Sequence, residues 1–208
     1  MKSLYNLKDI ECYEAIIFFD LEYTCWLDNN VKNNWEDSTR PPELIQLGFA
    51  YYDKCINEII STYSSYVRPQ RNSILSSYCK ELLNIDQKLI NSAPFLKDAV
   101  DGLMKWLNQC PTKIIFISWG FEDYYLLSED CNRQQISNPL NGIYYLDLMR
   151  LSDKKIGLSS RMFWDREKVK KYLKIHIADH THDALKDAIE LEVIYQALKN
   201  KFYNQSLV

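Results

Sequence analysis

Three apolar runs in the first third of the chain predict strands. They are "EAIIFFDLEYT" (14–24), "ELIQLGFAYYD" (43–53) and "EIISTYSSYVRP" (58–69), and a short turn at 54–57 separates the last two. Aliphatic, aromatic and threonine residues dominate these runs, which is typical of strands joined in an antiparallel meander. The stretch 75–110 instead carries apolar residues at helical spacing and predicts helices.

The second half of the chain alternates between strand and helix patterns. "KIIFISWG" (113–120) and "GIYYLDLMRL" (142–151) each predict a strand that runs into a helix, and residues 182–202 predict a long final helix. Three strands followed by strand–helix units are typical of an α/β domain with a mixed sheet. No domain boundary is visible, so we expect a single domain over residues 1–208 with its core at about 14–200.

Composition excludes several classes of protein. The 208 residues are 47% hydrophobic, enough for a core without disulfides or a structural metal. The five glycines form no phosphate-binding loop motif, and the six cysteines include no C-x-x-C pair of the kind that binds zinc. No signal peptide or apolar run of membrane-spanning length is present. We therefore expect a cytoplasmic protein with reduced thiols and no membrane association.

The charge pattern is uneven. The net charge of −3 lacks the basic character of most nucleic-acid-binding proteins. Residues 153–174 differ, with eight Lys or Arg against three Asp or Glu. This segment is either a solvated helix face or a flank that contacts phosphates. The polar stretch 27–42 predicts a long loop.

Two carboxylates end the first apolar run. Side chains alternate along a strand, so Asp20 and Glu22 share a face with Phe18. Two ionised carboxylates so close repel each other, so either one is protonated or a cation lies between them. Mg²⁺ prefers oxygen ligands of this kind.

Two further acids lie in apolar stripes of predicted helices. Asp123 shares its stripe with two leucines, and Asp187 precedes Leu191, Ile194 and Leu198 at helical spacing. Such an acid can be stabilised by a helix N-terminus, but an acid on an apolar face otherwise needs a partner or a metal. Four such acids in one chain favour a shared metal centre.

A histidine precedes the last helix. His182 lies five residues before Asp187, so the two side chains can lie on the same side only if His182 is in the loop before the helix, with Asp183 near the N-cap. A histidine there could reach a water molecule, although an isolated histidine is more often structural.

These residues resemble a known family. "FDLEYT", "SWGFED" and "HDALKDA" are similar, in order and spacing, to the three motifs of the DEDDh class of 3′–5′ exonucleases. "RPPELIQLG" and "YVRPQRNSILSSYCKELLNI" are similar to the branch that includes KapD-like proteins and the histone-mRNA and small-interfering-RNA exonucleases. The resemblance spans about residues 14–200.

The resemblance implies an RNase-H-like fold with a five-stranded mixed sheet of order 3-2-1-4-5. It implies two divalent cations, Mg²⁺ or Mn²⁺, and a general base at His182, since His180 lacks the five-residue spacing. The four carboxylates implied as catalytic metal ligands are Asp20, Glu22, Asp123 and Asp187.

The implied activity is metal-dependent hydrolysis of the terminal phosphodiester of single-stranded nucleic acid, with release of nucleoside 5′-monophosphates. RNA or 3′ overhangs are the expected substrates, since unpaired bases can stack on aromatic rings near the site. The rings of Trp119 and Tyr125 could instead belong to the core. The expected substrate-binding residues are Leu21, Tyr23, Thr24, Trp119 and Phe121.

Three alternatives remain. The first is a DNA-directed 3′–5′ exonuclease of the same fold. The second is a non-catalytic nucleic-acid-binding module, which five intact catalytic positions disfavour. The third is an aspartyl-phosphate phosphatase, in which the late H-x(4)-D motif would have no place.

Overall fold

One mixed sheet forms the centre of the molecule. The structure, a computed structural model, describes residues 2–4, 7–27, 40–156, 166–176 and 182–202. Within these ranges the six strands lie in the order β1-β6-β5-β2-β3-β4. The strands are β1 (Lys2–Leu4), β2 (Ala15–Tyr23), β3 (Leu44–Asp53), β4 (Glu58–Tyr66), β5 (Ile114–Ser118) and β6 (Tyr144–Asp147).

Helices connect and cover the strands. The apolar stripes predict most of them because each helix turns its stripe towards the sheet. In chain order they are a 3₁₀ helix (Leu7–Ile10), α1 (Ser77–Leu83), α2 (Gln87–Ser92), α3 (Leu96–Leu107), α4 (Glu122–Arg133), α5 (Leu148–Ile156), α6 (Arg166–Leu173) and α7 (Ala184–Phe202).

The sheet confirms the predicted topology and extends it. The five predicted strands lie in the order 3-2-1-4-5 when they are counted along the chain. β2 pairs antiparallel with β3 and parallel with β5. The strand β1 was not predicted, and it adds a sixth strand parallel to β6. Three residues are too few to show an apolar alternation, so β1 is visible only in its backbone pairing.

The central strand β2 is buried on both faces. Phe19 stacks on Phe49 in the layer that α3 covers, with 5.4 Å between ring centroids. Phe18 points to the opposite layer and packs against Tyr195 of α7, with 5.7 Å between ring centroids. The even-numbered positions of β2 therefore face α7, as the alternation predicts, and this face continues to Asp20.

The last helix begins in direct contact with the sheet. A Cβ atom at Gly48 of β3 would overlap the backbone of Ala184, so only glycine fits beneath the first turn of α7. The amide of Ala184 also donates to Oε1 of Gln46 at 3.2 Å. Gly48 lies opposite Asp20 in the β2–β3 ladder. The first turn of α7 is therefore fixed beside the end of β2.

Parts of two segments that the sequence analysis covers lie outside the described residues. Residues 28–39 of the predicted loop 27–42 and residues 157–165 of the basic segment lie outside the described residues. In the ranges that are described, none of the helices combines the length and apolar character needed to cross a bilayer.

We predict that Gly48→Ala destabilises the protein by about 1–3 kcal/mol, because the added methyl group must push α7 away from β3. The free energy of unfolding from urea denaturation measures this change. Gly102→Ala in α3 is the matched control. The atoms nearest to its Cβ would be the hydroxyl and outer ring atoms of the Tyr63 side chain rather than backbone, and alanine favours a helix by about 1 kcal/mol over glycine. Equal stability of Gly48→Ala and the natural protein would contradict the close contact.

Candidate active site

The first two acids stand where β2 leaves the core. Asp20 is 6% exposed and Glu22 is half-buried, and both point to the face covered by α7. Asp20 pairs with Gly48 and Glu22 with Gln46 across the β2–β3 ladder. The apolar residues before Asp20 make this strand rigid, so the sheet fixes the separation of the two carboxylates.

The start of α7 places the third acid. Asp183 is the N-cap, since its Oδ1 accepts from the amide of Lys186 at 3.1 Å and its carbonyl accepts from the amide of Asp187 at 2.9 Å. Asp187 is 1% exposed in the first turn, on the buried stripe that the sequence predicts. His182 precedes the cap with a φ of 49° and is half-buried. The predicted arrangement of His182, N-cap and acid is thus the one observed.

These elements bring three carboxylates together. One carboxylate oxygen each of Asp20, Glu22 and Asp187 lies within 4.8 Å of the other two. Burial raises the pKa of Glu22 well above its ordinary value, and the neighbouring carboxylates, Asp20 first among them, raise it further. Acids in such a cluster repel each other unless protons or cations neutralise them.

Asp123 joins the site from the other side of β2. It follows a tight turn after β5 in which Gly120 has a φ of 90°, and it lies in the first turn of α4. The Tyr23 hydroxyl donates to the carbonyl of Asp123 at 3.0 Å and so links β2 to α4. Burial raises the pKa of the Asp123 carboxyl, and Asp20 raises it further. Asp123 therefore lies within electrostatic reach of the cluster, although it is outside the group of three.

A cation that the sequence analysis did not single out also enters the site. Nη2 of Arg166, the first residue of α6, lies 2.7 Å from Oδ1 of Asp20, and Nη1 lies 3.8 Å from Oδ1 of Asp187. Arg166 belongs to the basic segment, for which a solvated face was one interpretation. That interpretation is wrong at Arg166, whose side chain is 10% exposed. In the sequence, the only signal for this residue is the high density of positive charge in segment 153–174.

Three of the predicted substrate-binding residues make contacts within the protein. The side chain of Leu21 is buried in the layer under α3, so only its main chain can contribute to a ligand site. The Thr24 hydroxyl accepts from the amide of Glu43 at 3.0 Å, and the Tyr23 hydroxyl is bonded to Asp123. A role of these residues in substrate binding stays a prediction.

The aromatic residues around Asp123 divide into two groups. Trp119 packs against the core and is half-buried, and the Arg166 guanidinium lies 5.9 Å from its ring centroid. Phe121 is 41% exposed and contacts the rings of Tyr124 and Tyr125. The core position considered for Tyr125 is wrong, since this residue is 49% exposed. Phe121 and Tyr125 thus offer exposed ring surface beside Asp123.

The donor set suits hard divalent cations. Carboxylate oxygens are the ligands that Mg²⁺ and Mn²⁺ prefer, and the cluster contains neither thiol nor imidazole. The residues that could hold such ions are Asp20, Glu22 and Asp187, with Asp123 on the far side. Four ionised carboxylates would match the charge of two divalent ions.

The fold and this acidic centre agree with the class of exonuclease that the sequence motifs resemble. The sequence model of the exonuclease family, RNase_T, matches residues 17–195. This range is most of the chain, and the chain therefore belongs to the exonuclease family.

Individual relatives agree with this assignment. The ERI1 exoribonuclease 2 of Danio rerio is 27% identical over 146 residues, which are 61% of this chain and 25% of that protein. The 3′-5′ exonuclease eri1 of Schizosaccharomyces pombe is 32% identical over 98 residues, which are 47% of this chain and 31% of that protein. The chain thus spans about a quarter of the length of the ERI1 exoribonuclease 2 proteins that it matches.

A solved structure shows the same fold. The nuclease domain of 3′hExo, a DEDDh family member bound to rAMP, superposes with a TM-score of 0.73 at 20% identity. The match covers 92% of this chain and 94% of that one. The RNase-H-like fold expected from the sequence is therefore confirmed.

We predict that Glu22→Gln stabilises the metal-free protein at pH 8 by about 1 kcal/mol or more, because it removes a charge that burial and Asp20 disfavour. Since the folded pKa of Glu22 is raised, the natural protein regains this stability as the pH falls through that pKa towards the ordinary value of about 4.5. The gain should therefore shrink on acidification.

Urea denaturation in EDTA at several pH values measures this effect. Glu14→Gln, at an exposed position just before β2, is the control and should change stability little at any pH. A gain for Glu22→Gln that grows as the pH falls would contradict the prediction.

Proposed function

We propose that this chain is a metal-dependent 3′–5′ exonuclease that hydrolyses the terminal phosphodiester of single-stranded nucleic acid and releases nucleoside 5′-monophosphates. RNA or a 3′ overhang is the proposed substrate, and Mg²⁺ or Mn²⁺ the proposed cofactor. The proposal places the activity in one domain over residues 1–208.

One observation carries the proposal. Three carboxylates from two distant segments of the chain lie within 4.8 Å of one another, at the end of a buried strand and the start of a buried helix. Grouping three acids in this way lowers the stability of the protein, so the cluster calls for a functional reason. Binding a pair of divalent cations for phosphodiester hydrolysis is such a requirement.

Each residue has a distinct role in the proposed reaction. Bound divalent ions would supply activation of a water molecule and stabilisation of the leaving 3′ oxygen. Asp20, Glu22, Asp123 and Asp187 would hold the ions. His182, next to the N-cap of α7, would take the proton of the attacking water at an imidazole nitrogen, as histidines commonly do at neutral pH.

The surroundings of Asp123 support a single-stranded substrate. The exposed rings of Phe121 and Tyr125 can stack with unpaired bases, at about 1–3 kcal/mol per base, whereas paired bases are covered by their neighbours in the duplex. RNA is favoured over DNA because one of the two relatives reported above, the Danio rerio protein, is named an exoribonuclease and the solved nuclease domain holds rAMP. Discrimination would depend on the 2′-hydroxyl, which only RNA carries.

The thiols support a cytoplasmic location as part of the proposal. All six cysteines are free. Unpaired cysteines are typical of proteins in a reducing compartment.

We predict that the chain shortens 5′-labelled single-stranded RNA from its 3′ end in Mg²⁺ or Mn²⁺ and is inactive in excess EDTA. Gel electrophoresis follows the labelled strand, and chromatography identifies the released nucleotide as a 5′-monophosphate. A 3′-phosphate on the substrate should slow the reaction, and a circular strand should resist it. Near-normal activity in EDTA or efficient cutting of the circle would contradict the proposal.

The same assay separates the substrate alternatives. Initial rates on RNA, DNA and blunt duplex DNA of one sequence should fall in that order, with a 3′-overhang duplex above the blunt one. Faster degradation of DNA than of RNA would favour the DNA-directed alternative. Binding without turnover of any substrate would favour the non-catalytic module.

We predict that His182→Ala lowers the rate of hydrolysis about 10²-fold or more, because it removes the proposed general base. His180→Ala is the matched control and should lower it much less; His180 lies outside the described residues. Rates at saturating substrate measure both changes. A larger effect at His180 would assign the general base to that residue.

A further inference from the structure

Arg166 occupies a position that the proposed reaction leaves unexplained. Its guanidinium hydrogen-bonds to Oδ1 of Asp20 at 2.7 Å and lies 3.8 Å from Asp187, two of the three carboxylates of the cluster. A guanidinium stays protonated in proteins, so Arg166 places a permanent positive charge among the acids that would bind metal.

The position of Arg166 is fixed by a docked helix. One turn further along α6, Nζ of Lys170 lies 3.1 Å from Oε1 of Glu190 on α7, and both side chains are almost fully buried. Val169, between the two cations, is 0% exposed. Asp187 and Glu190 lie one turn apart on α7, so two ion pairs in register hold α6 against α7. This arrangement explains two of the eight basic residues of segment 153–174.

We propose that Arg166 competes with divalent ions for Asp20, and that these ions must displace its guanidinium from this carboxylate in order to bind. The inference rests on the proposed function, since it assumes that the cluster binds metal. Two divalent ions already match the charge of the four carboxylates, so an arginine among them would be surplus positive charge. Asp20, whose Oδ1 is bonded to Arg166, also belongs to the group of three carboxylates, and cations held so close together repel each other.

The consequence is that Arg166 sets the affinity of the site for metal. It neutralises part of the acidic cluster when no metal is bound, and this contribution is lost when a metal binds. Metal affinity is therefore lower than the carboxylates alone would give.

Direct metal binding tests the proposal without use of nuclease activity. Titration of the protein with Mn²⁺, followed by the electron paramagnetic resonance signal of free Mn²⁺, gives the dissociation constant in the absence of nucleic acid. Arg166→Met should bind Mn²⁺ about tenfold or more tightly than the natural protein, because a nearby positive charge has been removed. In EDTA its Tm should be lower than that of the natural protein, and its gain in Tm on adding Mn²⁺ should be larger.

Matched variants separate this effect from general changes. Arg150→Met removes an arginine whose side chain is 68% exposed and is paired with Asp147, and it should leave Mn²⁺ affinity unchanged. Asp187→Asn should lose Mn²⁺ binding. If Asp187→Asn abolishes Mn²⁺ binding while Arg166→Met leaves the affinity for Mn²⁺ unchanged or lowers it, the role of Arg166 is overturned. The proposed metal centre then still stands. If Asp187→Asn has no effect on Mn²⁺ binding, the metal centre of the proposed function itself fails.

A measurement on the natural protein covers the case in which Arg166→Met does not fold. The side-chain Nε–H resonance of Arg166, assigned by its absence in Arg166→Lys, should move towards that of a solvated arginine as Mg²⁺ is added. A resonance that stays at its metal-free position at saturating Mg²⁺ would overturn the proposal.

Discussion

The site depends on one main-chain contact, between Gly48 of β3 and the first turn of α7. Without a side chain at Gly48, the backbone at Ala184 rests directly on the sheet. This contact places Asp187 within carboxylate reach of Asp20, although the two residues are 167 positions apart in the chain. A larger residue at position 48 would separate helix and strand and move Asp187 away from Asp20.

Other contacts limit the movement of the remaining parts. The Tyr23 hydroxyl bonds to the carbonyl of Asp123, and Oδ2 of Asp130 accepts from the amide of Leu44 at 2.8 Å. These two bonds tie α4 to β2 and β3 near both of its ends. The acids therefore stand on elements that contacts within the protein hold in place, which is the preorganisation that functional sites require. The electrostatic strain of the cluster is balanced by the stability of the surrounding apolar layers.

The sequence predicts those features that follow from local pattern. The apolar run to Asp20, the stripe from Asp187 and the cap at Asp183 each result from interactions within a few residues, and the structure contains all three. Arg166 differs, because its partner Asp20 is distant in the chain and no periodicity in α6 marks the pairing. The strand Lys2–Leu4 differs again, since it is too short for a pattern and depends on the backbone of β6. Side-chain exposure at a helix start, as at Tyr125, likewise depends on neighbours that only the fold supplies.

The position of α7 late in the chain has a consequence for synthesis. The sheet strands up to β6 precede α7, and Asp20, Glu22 and Asp123 are translated well before Asp187 and His182. A nascent chain can therefore form strands around an incomplete set of acids, but it lacks His182 and Asp187 until α7 has left the ribosome. On the proposed function, an unfinished polypeptide is inert towards the messenger RNA from which it is being translated, and the nuclease becomes active only once the final helix has docked.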